Sequence, residues 1–174
     1  PLNLFNRQLF EDLQATVAAV EAEPPRALLF RAEGRAVSGG VDVHEFDGLT
    51  PEQGSALWDE LIGTVERVEA LPLPVVFAAH ALTLTAAFEL ALGCDLIVAG
   101  QAAKFGLVET VIGLSPGMGG TQRLAERAGV TYFGTSAPYL MACRKAGLVP
   151  REIADLSRVR GLGSTGSPLP PESA

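Results

Sequence analysis

The sequence predicts an α/β protein with parallel strands, and three observations carry that expectation. Two long segments, Phe5 to Val20 and the stretch after Thr50, repeat apolar residues at helical spacing. Short apolar runs, Ala27–Phe30, Pro74–His80 and Cys94–Ala99, have the length and character of strands. Helical and extended segments alternate through the first 128 residues, the order from which helices cover a parallel sheet. With 174 residues, 48% of them hydrophobic, the chain can bury one real core and is not a disordered polymer.

The first helix places Leu9, Leu13, Val17 and Val20 on one face, with Arg7, Glu11, Asp12 and Gln14 elsewhere, and Pro24-Pro25 ends it. Ala27–Phe30 is a candidate buried strand. A turn at Glu33-Gly34 then leads into the loop Ala36–Asp42, whose adjacent glycines, Gly39 and Gly40, permit close backbone approach to a ligand. Taken alone, that loop reads as an ordinary turn. Thr50-Pro51-Glu52-Gln53 starts the second helix, with threonine as cap, proline in the first turn and Gln53 completing a capping box. Leu57, Leu61, Val65 and Val68 form its buried stripe, Trp58 and Ile62 pack beside it, and Pro72 stops it.

Pro74–His80 is the next strand, followed by seven residues of Ala, Leu and Thr only, from Ala81 to Ala87. Phe88–Gly93 reads as helix, Cys94–Ala99 as strand and Lys104-Phe105 as a short extended piece, and Val108–Ile112 runs into a turn at Gly113. The loop Ser115–Gly120 precedes a helix opened by Thr121-Gln122-Arg123-Leu124. Glycines at a helix start can cradle phosphate. Here no Lys-Ser/Thr follows them and GxGxxG is absent, so a nucleotide site is weakly supported.

Composition excludes several classes. No apolar run approaches the roughly 20 residues of a membrane span. A net charge of −7 argues against nucleic acid as partner. Two cysteines, Cys94 and Cys143, make neither a disulfide framework nor a metal site, so no metal and a reducing, cytoplasmic setting are expected. With Pro1 rather than methionine at its head, a preceding segment is expected. Residues 1–128 carry 8 basic against 17 acidic side chains and the remainder 5 against 3, so the chain changes character near Ala128. The Pro/Gly/Ser-rich residues 161–174 read as a disordered tail.

Glu89 and Glu109 sit among apolar neighbours, where a carboxylate needs a partner or a task. Two such groups near each other suit acid–base work, because desolvation raises each pKa and mutual repulsion separates them. Spacing alone favours the plainer alternative, a local cap at Glu89 and a surface strand end at Glu109. His80 reads as a core histidine, and Ser38 and Ser115 lack a nucleophile elbow.

The string ELALGCDLIVAGQAAKFGLVETVIGLSPGMGGTQRL, Glu89 through Leu124, resembles the enoyl-CoA hydratase/isomerase (crotonase) family. AVSGGVDVHEF is similar to that family's first oxyanion loop, and LNLFNRQLFEDLQ to its first long helix; the resemblance covers about Leu2 to Ala128. It implies a crotonase-like spiral of ββα units, acyl-CoA thioester as substrate, and no separate cofactor because CoA is part of that substrate. It further implies assembly as a trimer or dimer of trimers and a place in fatty acid metabolism. Backbone amides of Gly39 and Ala86 would form the oxyanion hole, and Glu89 and Glu109 the catalytic pair that adds water to the 2,3-double bond, a lyase reaction. Substrate contacts carry over to Gly39, Gly40, Val41 and Asp42, while the loop Gly117–Gly120 becomes a structural approach to the site.

Isomerase relatives generally keep only the glutamate at the Glu109 position, so a pair favours the hydratase over an isomerase or another enolate-forming enzyme. Relatives usually carry a glycine-rich turn before the Glu89 position, where this chain reads Thr85-Ala86-Ala87. Beyond Ala128 the resemblance thins, and 129–160 is expected to be a diverged or truncated segment. A non-catalytic remnant or oligomer-building subunit is the alternative from a different class.

Overall fold

The computed structural model describes residues 2–127, 129, 132–136, 141, 144–147, 149, 152 and 157–165. It divides into two compact units, Pro1–Gly120 and Thr121–Ala174. In the first, helix α1 (Arg7–Ala22) begins where the Asn6 side chain accepts from the Leu9 amide, and it buries Phe10, Leu13, Val17 and Val20. Phe10 takes the inward position expected of Leu9, which is half-buried. Helix α2 (Pro51–Glu69) forms both bonds of the expected capping box between Thr50 and Gln53, and packs against α1 through a face containing Leu61, Thr64, Val65 and Val68.

Strands β1 (Leu28–Arg31), β2 (Val75–Ala79) and β4 (Leu96–Ala99) form a parallel sheet in the order β1-β2-β4. Strands β3 (Leu82–Leu84) and β5 (Lys104–Gly106) form a second, two-stranded parallel sheet. Between β3 and β4 lies α3 (Ala86–Leu92), every residue of which is buried. The α/β class with parallel strands is therefore as expected.

The expected burial of the strands needs correction. β2 is central and buries Val75, Phe77 and Ala79, but β1 and β4 are its edges. Leu29, Leu96 and Val98 are 56%, 59% and 60% exposed, on a sheet face left open to solvent. His80 is likewise exposed, with Nε2 2.8 Å from the Gly34 carbonyl, and is not a core histidine. Helix α4 (Gly120–Arg127) starts at the last residue of the first unit.

In the second unit β6 (Tyr132–Ser136) pairs in parallel with β7 (Gly161–Thr165), in register from Tyr132↔Gly161 to Ser136↔Thr165. The first five residues of the expected disordered tail are thus a strand, while 166–174 and nearly half of 129–160 lie outside the described residues.

Candidate active site

The site is assembled by backbone pairing in the first unit. Val37 and Ser38 donate to the Leu82 carbonyl, and Leu84 donates back to Ser38, so the Gly39-Gly40 loop lies against β3. On its other side Phe5 donates to Gly40 and Asp42 donates to Phe5, both at 2.9 Å. The Thr85 amide donates to the Gly106 carbonyl at 2.9 Å, tying the end of β3 to the end of β5. Three residues further on, Glu109 opens a 3-10 turn, Glu109–Ile112. Spacing alone favours a surface strand end at Glu109; the residue is instead buried at the start of this turn.

Glu89 is 3% exposed, and its Oε1 accepts from the Met118 amide at 2.8 Å and the Gly120 amide at 2.9 Å. Gly120 is required for that approach, since a Cβ there would fall 2.6 Å from Glu89 Cγ. The glycine-rich loop at a helix start does cradle an anion, as such loops can, but the anion is the protein's own carboxylate. Burial pushes the Glu89 carboxyl up to about 7; the Gly120 and Met118 amides oppose the rise, and the Glu109 charge adds to it.

Glu109 is 6% exposed, and among the described residues neither carboxylate oxygen has a hydrogen-bond partner. Its pKa is also raised by burial, against a smaller lowering from its own amide. Both acids retain protons to higher pH than ordinary carboxyls.

Glu89 and Glu109 line one cavity of about 20 Å³, together with Val41, Thr85, Ala86 and Trp58. A site of some 10–15 Å³ suffices for one water, so this one has room for about a single molecule of that size. Ala86 is the first residue of α3, and its amide therefore has no acceptor within the helix. Val41 reaches the cavity, and its amide donates to Thr85 Oγ1 at 3.2 Å.

Gly39 does not share the arrangement. Its amide donates to the Leu2 carbonyl at 2.8 Å, leaving nothing to offer an oxyanion, and Gly39 is absent from the cavity wall. Gly40 donates to Ser38 Oγ, and Asp42 accepts from the His44 amide at the start of the 3-10 turn Val43–Phe46. Of the four expected loop contacts, the fold brings only Val41 to the two glutamates. Trp58, expected merely to pack, stacks on Phe46 with centroids 5.1 Å apart and forms a wall of the cavity. Its position at the border of the buried stripe was the available signal. Among the described residues no cluster of three or more His, Cys, Asp or Glu could hold a metal ion.

A second, larger cavity of about 670 Å³ is lined by Leu4, Leu9, Leu13, Phe30, Phe77 and Leu90 among others. Its only charged residues, Arg31 and Glu33, pair with each other in exposed positions.

The family model for enoyl-CoA hydratase/isomerase matches residues 1–147. A Bacillus subtilis protein described as "Probable enoyl-CoA hydratase" is 34% identical over 131 residues, which are 74% of this chain and 51% of that protein. Human enoyl-CoA hydratase domain-containing protein 2, mitochondrial, is 37% identical over 129 residues, 74% of this chain and 43% of that one. The crystal structure of an enoyl-CoA hydratase from Bacillus anthracis superposes with a TM-score of 0.68 at 29% identity, over 94% of this chain and 62% of its own. The chain thus spans about half the length of the curated relatives it matches.

Proposed function

The chain belongs to the enoyl-CoA hydratase/isomerase family, and from that premise we propose that it adds water across the 2,3-double bond of an enoyl-CoA thioester. One observation carries the reading: two buried carboxylates with raised pKa values line a single cavity with room for about one water. Glu89, held in place by two amides on Oε1, takes a proton from the water as its oxygen bonds to C3. Glu109, desolvated and without a donor, holds the proton delivered to C2. Electron density moves to the thioester oxygen and returns on protonation, and the Ala86 and Val41 amides are the donors placed to stabilise it. Val41 takes the role first expected of Gly39, whose amide is engaged by Leu2.

A second reading is favoured by the asymmetry of the pair. Glu89 is clamped and Glu109 is unpartnered, as an isomerase moving one proton with Glu109 alone would require. Assembly into a homo-oligomer completes the proposal, supported by Leu29, Leu96 and Val98 on the exposed sheet face. The test follows the loss of enoyl-thioester absorbance with the full chain. Glu89→Gln and Glu109→Gln should each lower hydration by about 10²–10⁴-fold. Survival of double-bond migration in Glu89→Gln alone selects the isomerase, and turnover unaffected by both substitutions sinks either reading.

A further inference from the structure

The cavity between the glutamates is too small for a thioester, and Thr85 is among the residues that line it. Its backbone lies at φ 45°, ψ −117°, the conformation of the first central residue of a type II′ turn, where glycine is the ordinary occupant. A β-branched residue at positive φ is a genuine outlier, and such outliers persist only where the surroundings impose them. Here the surroundings do so from both sides. The Thr85 amide is held by the Gly106 carbonyl, and the Thr85 carbonyl accepts from the Glu89 amide at 2.8 Å.

The side chain shows what that conformation achieves. Although Thr85 is the N-cap of α3, its hydroxyl makes no capping bond to the helix and turns instead to accept from the Val41 amide. The first loop is shaped around it: Gly40, at φ +103°, would place a Cβ 2.1 Å from Thr85 Oγ1. Thr85 is only 8% exposed and lines the cavity beside Glu89 and Glu109. The hydroxyl oxygen therefore occupies, as an acceptor on Val41, the place that a thioester carbonyl oxygen would need.

We infer that Thr85 is a built-in gate on the site, an internal acceptor that an incoming thioester carbonyl must displace from the Val41 amide. The inference rests on the reading of this cavity as a thioester site. Displacement requires the Thr85 side chain to rotate away or its turn to shift. Only the fraction of molecules in which it has done so binds substrate, and apparent affinity falls by that fraction. The gate acts on the carbonyl alone, so it discriminates a thioester from CoA, which lacks that oxygen. Thr85 is on this view a positioning residue and takes no proton.

The full chain and its Thr85→Gly, Thr85→Ser and Thr85→Val variants are titrated calorimetrically with butyryl-CoA, which cannot be hydrated, and with CoA. Thr85→Gly should bind butyryl-CoA at least about tenfold more tightly than the parent while CoA affinity is unchanged. Thr85→Ser, which keeps the acceptor, should stay within about twofold of the parent. Amide exchange at Val41 reads the latch without any ligand: it should quicken in the glycine and valine variants and not in the serine variant. Equal butyryl-CoA to CoA ratios in parent and Thr85→Gly overturn the gate and leave the thioester site standing. Failure of every variant to bind either ligand overturns the site itself, and the gate with it.

Discussion

The two cavities beside α3 are served by neighbouring faces of the same helix. Ala87 and Leu90 line the one of about 670 Å³, Ala86 and Glu89 the one of about 20 Å³. Among the described residues, the larger is walled by leucine and phenylalanine with no buried charge, and the smaller holds two desolvated carboxyls, one without a partner. Space and chemistry are therefore separated by one residue's rotation around a helix. Apolar walls lose little by standing open, whereas an unpartnered buried carboxyl is costly and is retained for what it can do.

The sharpest way to break this comparison is to treat the two faces alike. Leu90→Ala, on the large cavity, should cost about 3 kcal/mol of stability by chemical denaturation while turnover per folded molecule stays within about twofold. A large loss of turnover there would mean that the two cavities act as one. The small cavity should announce itself in pH instead. The folded Glu89 value near 7 lies above the ordinary 4.5, so its protonated form is favoured in the folded state. The corresponding stability is fully present below about pH 4.5, is lost as pH rises toward 7, and changes no further above that, amounting to about 3 kcal/mol. Unfolding followed between pH 4.5 and 8 should show that decline, and Glu89→Gln should flatten it; parallel curves for the two proteins would reject the burial assigned to Glu89.

Gly120→Ala probes the carboxylate cradle. A methyl 2.6 Å from Glu89 Cγ should displace the side chain, costing about 2 kcal/mol of stability and roughly tenfold or more in turnover, with the titration of Glu89 altered. The smallest effect is expected far from both cavities. Thr50→Ala removes the cap of α2 and should cost about 1 kcal/mol, measured by thermal unfolding, with the pH dependence unchanged.

Much of this organisation was legible in the residues. The apolar spacing of α1 and the Thr50–Gln53 box lead directly to helices, because both signals act within a few residues. The site was legible only in part. Glu89 and Glu109 were candidates because a carboxyl among apolar neighbours is costly wherever it falls, but their convergence depends on the pairing of β3 with β5. The stretch Ala36–Asp42 is a loop, as its two glycines led one to expect. Which of its amides remained for a ligand depended on Leu2, more than thirty positions away, whose carbonyl takes the Gly39 amide, and on Ser38, whose Oγ takes the Gly40 amide. The exposed faces of β1 and β4 were misjudged because an apolar run carries no mark of an edge position in a sheet.

The sequence by itself determined the α/β class, the places of the helices and the family, and it marked Glu89 and Glu109 as costly carboxyls, since these follow from local periodicity, capping chemistry and ordered motifs. The tertiary structure alone decided that the glycine-rich loop cradles Glu89, that Val41 and not Gly39 lines the cavity beside it, and that Thr85 holds the Val41 amide. The physical reason is the saturation of hydrogen bonds. A buried donor or acceptor must be satisfied by whatever the fold brings within about 3 Å, and chain order does not specify that neighbour.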